Sequence, residues 1–237
     1  MIGVQQRLRN GRSLWLERGG HRGRRYPSLS GPHKASVAIV SGGMTGALIA
    51  HAFASAGIST ILLEASEFGR GSTAASSALL LQEPDLELIE LTNRYGKHAA
   101  RRVWQMSRES VHALVSLLGR LRIACDLRHR DAIYYATDAQ AVERLRAEYE
   151  LRMRSGFDAA WLGPGALRRS TGIAGRGAIR THGSAQFDPY RACLGVLRAA
   201  AASGAQLFER SKVRRIVPDA TGSGCGPVRE WSKANAW

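Results

Sequence analysis

Hydrophobic positions along the chain switch between two periods, and the switches give an α/β order. Val37-Ala38-Ile39-Val40 is a continuous apolar run, as a strand buried on both faces requires. It enters Ser41-Gly42-Gly43-Met44-Thr45-Gly46. A small-residue helical pattern follows from about Met44 to Ala56, and Gly57 can end it in the left-handed conformation. Ser59–Glu64 is a second β-type run, so residues 37–64 form one strand–helix–strand unit of about the usual ~30 residues. Residues 65–78 are small and polar, with no clear period. Residues 85–122 read as helix broken near Gly96, with Val111, Leu114, Val115 and Leu118 at i, i+3, i+4, i+7. Trp104 and Met106 read as core on that helix. Ile133-Tyr134-Tyr135 predicts a strand and residues 138–155 a charged amphipathic helix. Asp188-Pro189 provides a cap and a first-turn proline for a helix with a buried stripe at Tyr190, Cys193, Leu194, Leu197 and Ala201, ending at Gly204. Gln206–Glu209 and Val213–Ile216 predict strands, whereas Val228–Trp237 shows no strand period.

Composition narrows the classes. With 44% hydrophobic and 22% charged residues, the 237-residue chain can bury a core, which excludes disorder throughout. No stretch approaches the ~18 apolar residues of a membrane-spanning helix, so no membrane association is expected. Cys125, Cys193 and Cys225 are far apart, with neither disulfide-scaffold nor metal-ligand spacing. No metal site is expected, and a reducing, cytoplasmic compartment is the default. The net charge of +15 comes from 30 Arg and four Lys against 19 acids. Arginine is spread along the whole chain, which favours a general compositional bias over nucleic-acid binding. Residues 1–34 are the concentrated exception, with seven Arg, Lys34 and Glu17 as the single acid. Arg22–Pro27 and Ser30–Pro32 interrupt helical periodicity there, so the segment reads as an extended leader. Within it, residues 1–12 are expected to be loosely held, and Trp15 and Leu16 to pack on the domain.

The candidate chemistry lies in residues 37–82. A glycine-rich turn between a buried strand and a helix can cradle a pyrophosphate, because the helix N-terminus offers unpaired N–H groups and a partial positive charge. In the pattern G-x-G-x-x-G, Gly43 and Gly46 occupy the second and third places, and Ser41 occupies the first. A Cβ at that tight turn is expected to cost on the order of 1 kcal/mol. Glu64 ends the second strand, where an acid can accept hydrogen bonds from a ribose diol. Strand, turn, helix, strand and acid in that order point to dinucleotide binding. His51 reads as a packing or surface residue, Asp188 as a helix cap and His182 as a loop residue. No catalytic acid or base is identified.

Val37–Glu64, followed by Gly69-Arg70-Gly71-Ser72-Thr73-Ala74-Ala75-Ser76-Ser77-Ala78, resembles the FAD-dependent oxidoreductases of the D-amino-acid-oxidase/glycine-oxidase superfamily. Ser13–Glu17 and Pro27–Gly31 are similar to the leader before the first strand of some members. Lys212-Val213-Arg214-Arg215-Ile216 is similar to a strand whose backbone meets the adenine. The resemblance implies an α/β fold, a Rossmann-like FAD-binding domain with a partial, incomplete substrate-binding domain. It divides the chain into a basic leader (1–34), a FAD-binding βαβ core with flavin-side loop (35–84), a helical and partial substrate-domain region (85–187), a return to the FAD-binding domain (188–216) and an irregular tail (217–237).

The resemblance also implies roles. Gly43, Met44, Thr45 and Gly46 would face the pyrophosphate, and Glu64 the adenosine ribose. Ser72, Thr73 and Ser76 would bond phosphates or the flavin side, and Val213 would contact adenine through its main chain. The implied cofactor is FAD, and the implied reaction is oxidation of the C–N bond of a small amine or amino acid. Members of the family are considerably longer. The chain therefore reads as a truncated or frame-disrupted product with impaired activity, to which a second chain could supply the missing half. The alternatives are a non-catalytic nucleotide-binding remnant and, behind it, a basic nucleic-acid-binding protein.

Overall fold

The computed structural model describes residues 13–18, 25–216 and, for the backbone only, 229–231. In chain order the elements are α1 (Leu14–Arg18), β1 (His33–Ala35), β2 (Val37–Val40), α2 (Met44–Ser55), β3 (Thr60–Leu63), a 3-10 turn (Ser72–Ala75), β4 (Leu79–Leu80), α3 (Leu88–Tyr95), α4 (Lys97–Arg120), β5 (Arg128–Ala136), α5 (Ala139–Arg154), β6 (Ala160–Leu162), α6 (Pro164–Thr171), β7 (Gly177–Gln186), α7 (Pro189–Ala202), β8 (Gln206–Phe208) and β9 (Arg229–Trp231). They fall into two units. The first combines the described parts of Met1–Ser77, Leu121–Cys125 and Asp188–Trp237, and the second combines Ala78–Arg120 with Asp126–Phe187.

The first unit is built on a parallel sheet of order β2-β3-β8. β3 is central, and Ile61, Leu62 and Leu63 are all buried, each stabilising by about 1.5–3 kcal/mol relative to exposure. Leu29, Ala35 and Phe208 complete the cluster around Ile61 and Leu63. α2 buries Ala47, Ala50 and Ala54, and these small side chains let it pack on α7, which buries Ala192, Val196 and Ala200. Asp188 caps α7 by accepting the Arg191 N–H at 2.9 Å, with Pro189 in the first turn. Glu209 is buried and joins segments far apart in sequence, accepting the N–H groups of Tyr26 (3.1 Å) and Phe68 (2.9 Å).

The second unit is an antiparallel sheet of order β4-β7-β5, with β6 also on β7. α5 packs on β5 and β7, and Leu145 meets Ala136 and Ile179. α3 and α4 enclose a second cluster of Leu88, Leu91, Ala100, Trp104 and Phe157. The break near Gly96 is present: Gly96 has φ 81°, a value glycine tolerates without strain.

Several expectations are corrected. The leader is not extended throughout, because Leu14–Arg18 forms a helical turn that sits against the 3-10 turn. Ser13 Oγ bonds the Ala74 carbonyl, and Trp15 Nε1 donates to the Ser76 carbonyl at 2.9 Å. Residues 1–12 lie outside the described residues. Val213–Ile216 is not a strand; the preceding backbone is anchored instead through the Ser211 N–H to the Glu64 carbonyl at 2.7 Å. The tail is not wholly irregular, since Arg229–Trp231 pairs antiparallel with His33–Ala35. Three residues are too few to show a period, and the partner strand lies at the other end of the sequence. Met106 is exposed while Trp104 is buried, because residues two apart on a helix point to nearly opposite sides.

Candidate functional site

The turn after β2 is closed by backbone contacts. Ser41 N–H donates to the Leu63 carbonyl at 2.9 Å, and Gly42 N–H donates to Glu64 Oε2 at 2.8 Å. The other Glu64 oxygen accepts the Ser66 N–H at 2.8 Å. Glu64 thus ties the turn after β2 to the turn after β3. Two N–H bonds leave a carboxylate with acceptor capacity for further donors such as ribose hydroxyls. Gly46 is buried on the first turn of α2, and a Cβ there would collide with the Ser41 carbonyl oxygen. Helix and strand can therefore approach this closely only with glycine, the role assigned to the third place of the motif. Ser41 holds φ 100°, a backbone region that L-residues rarely adopt.

The N-terminus of α2 is a ready anion site. Gly43 is its N-cap and has no side chain with which to cap the helix. Met44 N–H is taken by Thr73 Oγ1 at 3.0 Å, so the 3-10 turn is fastened to the start of α2. The N–H groups of Thr45 and Gly46 have no carbonyl one turn back within the helix. These donors, with the helix dipole, suit a pyrophosphate, and the cradle fits a dinucleotide.

The structure brings most of the expected residues together. Gly43, Met44, Thr45 and Gly46 lie on the first turn of α2, with Glu64 at the end of the neighbouring strand. Ser72 and Thr73 lie on the 3-10 turn and Ser76 follows it. Thr73 acts through its bond to Met44, a role the sequence pattern does not suggest. Val213 packs against the core around Ile61 and Phe208, and the Ser211–Glu64 bond holds its segment beside the end of β3. Asp188 is a cap, as expected. Cys193 lies under the turn, with Sγ 3.7 Å from the Gly42 carbonyl. Burial, helped by the nearby Glu64 charge, pushes its thiol up to about 12.

The second unit carries polar groups that the sequence pattern did not single out. Glu148 and Arg152 are both buried on α5, and Arg152 Nε donates to Glu148 at 2.7 Å. The Arg152 guanidinium lies 4.7 Å from the Trp104 ring centroid. Their i, i+4 spacing is a readable ion-pair signal. Their burial is not readable, because it depends on α3 and α4 covering them. On β5 and β7, Asp131 receives Arg180 and bonds His182 Nδ1 at 2.6 Å. Burial raises the Asp131 carboxyl, but hydrogen bonds from Arg180 and His182 outweigh it, and the net effect lies below the ordinary value. His182 is therefore a member of this group and not an isolated loop residue.

A family model described as FAD dependent oxidoreductase matches residues 36–234. The chain is 25% identical to the gamma-glutamylputrescine oxidoreductase of Escherichia coli over 193 residues, covering 81% of this chain and 45% of that protein. It is similar in fold to the glycine oxidase of Geobacillus kaustophilus (TM-score 0.65, 23% identity, 76% of this chain, 47% of that one). It is also similar to the FAD-bound L-alpha-glycerophosphate oxidase of Mycoplasma pneumoniae (TM-score 0.66, 15% identity, 85% of this chain, 50% of that one). The chain spans less than half the length of the curated relatives it matches. The extent of the family match, together with a glycine turn, helix N-terminus and strand-end glutamate arranged for a dinucleotide, shows that the chain belongs to the FAD-dependent oxidoreductase family.

Proposed function

We propose that the first unit binds FAD and serves an oxidoreductase that oxidises the C–N bond of a small amine or amino acid. The observation that carries this reading is the turn after β2, closed by Glu64 and opening onto the N-terminus of α2, where the Thr45 and Gly46 N–H groups have no carbonyl within the helix. The backbone of Gly43, Thr45 and Gly46 holds the pyrophosphate, the Met44 N–H being taken by Thr73, and Glu64 uses its remaining lone pairs for the ribose. Ser72 and Ser76 are exposed beside them as further donors, and Thr73 fixes the loop that carries them. The backbone near Val213 runs beside the adenine. Bound FAD supplies a two-electron acceptor, and the protein orients it against the substrate.

A visible spectrum of the purified protein after FAD addition and desalting tests the binding. Retained flavin absorbance, lost in Glu64→Ala, is the expected result. A colourless wild-type protein overturns the reading. Turnover of amines by flavin-loaded protein tests the reaction separately.

A second reading is a nucleotide-binding module that works with another chain. It is favoured by β2, an edge strand of its sheet among the described residues, with Val40 50% exposed. Such an edge is a template for a further strand. A yellow protein without amine turnover, whose mass by light scattering exceeds that of one chain, supports this version.

A further inference from the structure

The second unit carries a half-open cavity of about 530 Å3, within the range of small-molecule sites. Leu79, Leu81, Leu86 and Ile133 give it apolar walls. Four carboxylates line it (Glu83, Asp85, Glu87 and Asp131) against two guanidinium groups, Arg130 and Arg152. Most of this charge is already engaged. Arg152 is held by buried Glu148, and Asp131 by Arg180. Glu87 Oε1 accepts the Tyr134 hydroxyl at 2.5 Å. This bond, with burial, raises the Tyr134 hydroxyl to about 12, so it stays a neutral donor.

Glu83 differs from Glu87 and Asp131, and unlike Asp85 it is largely buried. One oxygen accepts the Thr181 hydroxyl, and the Arg152 Nη1 lies 3.9 Å away. Its second oxygen, Oε2, is buried and has no hydrogen-bond partner among the described residues. Ser184, only 1% exposed, lines the same cavity, and its Oγ likewise has no partner among the described residues. A buried acceptor left unsatisfied costs about 1–3 kcal/mol, and more when charged, so such groups point to a missing donor. The donor must suit a carboxylate and a hydroxyl, and its remainder must suit leucine and isoleucine walls. An ammonium on a flexible aliphatic chain meets each condition. Its three N–H donors are enough for two acceptors, and its methylenes suit the apolar wall.

We propose that this cavity binds the terminal ammonium of an aliphatic amine, with Glu83 Oε2 and Ser184 Oγ as its acceptors. As a substrate subsite this rests on the amine-oxidation reading above, whereas the binding itself does not.

The test is titration of the full chain with butane-1,4-diamine by calorimetry, with butanoate as the charge control. Saturable one-site binding of the diamine, and none of butanoate, is expected. Glu83→Gln should weaken binding at least tenfold, and Ser184→Ala roughly three- to tenfold, as loss of a charged and a neutral hydrogen bond implies. In the unmodified protein, NMR should show contacts between the diamine methylenes and the Leu79 and Leu81 methyl groups, which keeps the test intact if Glu83→Gln fails to fold. Absence of saturable binding, or equal binding by a folded Glu83→Gln, overturns the proposal. The flavin spectrum of the same sample separates the two readings. Yellow protein without diamine binding sinks only this inference, and diamine binding by colourless protein sinks only the FAD reading.

Discussion

Glu148 and Arg152 lie one helical turn apart on α5, and the carboxylate that receives Arg152 Nε also accepts the first N–H groups of α3. Leu88 N–H reaches Glu148 Oε1 at 2.9 Å, and Ile89 N–H reaches Oε2 at 3.0 Å. One buried carboxylate thus neutralises a guanidinium and caps a helix belonging to another part of the chain. Removing it should leave the buried Arg152 charge with only the more distant Glu83 carboxylate, 3.9 Å away, as a partner. Glu148→Ala is expected to cost about 3–5 kcal/mol in urea unfolding. The double variant Glu148→Ala/Arg152→Met should recover part of that loss, because the stranded charge is gone. A double variant no more stable than the single one would remove charge burial as the cause.

Ser41 is strained where glycine would not be. Its φ of 100° should cost on the order of 1 kcal/mol, so Ser41→Gly should raise the melting temperature by about 2–4 °C. The same change should strengthen FAD binding roughly three- to tenfold, each tenfold being ~1.4 kcal/mol. An unchanged or weaker FAD affinity would show that the strain lies outside the binding geometry.

Gly46 and Gly119 should respond in opposite directions to alanine. A Cβ at Gly46 meets the Ser41 carbonyl, and the resulting shift should cost about 1–3 kcal/mol and weaken FAD binding. A Cβ at Gly119, in the last turn of α4, meets nothing within 4 Å among the described residues. Gly119→Ala should stabilise by roughly 0.5–1 kcal/mol through helix propensity. Equal effects at the two sites, read by thermal unfolding, would contradict the close approach of α2 to the turn.

The Cys193 thiol is raised from 9.0 to about 12 by burial first and the Glu64 charge second. A raised folded value contributes stability that is fully present below the unfolded value and is lost as pH rises. Stability should therefore fall between about pH 9 and pH 12, and Cys193→Ala should flatten that fall. Peptide-resolved iodoacetamide labelling at pH 8 should leave Cys193 unmodified until urea unfolds the protein. Rapid labelling of the folded protein would place the thiol at the surface.

The strand–helix–strand unit was legible because its signals are local. Val37–Val40 and Ile61–Leu63 are continuous apolar runs, and the small residues between them suit a helix that must pack closely. The expected burial of Val37–Val40 on both faces is not met, because among the described residues β2 lies at the sheet edge, with only Ile39 buried. Glu64 could be read from its place at a strand end. Elements defined by distant partners were not legible. β7 carries Arg180, Thr181, His182 and Gly183 in sequence and shows no clean alternation. Its pairing with β5 shifts register between Arg130 and Ala132. The Glu83–Ser184 cavity and the buried Glu148 depend on which side chains the sheet and helices bring together, and no short pattern encodes that.

Glu209 also sets an order of events during synthesis. The groups it joins, at Tyr26, Phe68 and Glu209 itself, span 183 residues of sequence, and β8, the third strand of the parallel sheet, ends just before it. All of the second unit is made in between. At ribosomal rates of about 5–20 residues per second, the leader and the first two strands wait several seconds for their last partner. All the described strands of the inserted unit's sheet, β4 to β7, have been made when that partner emerges. Until then β3 lacks a neighbour on one side, and its unpaired edge is a template for pairing with other chains.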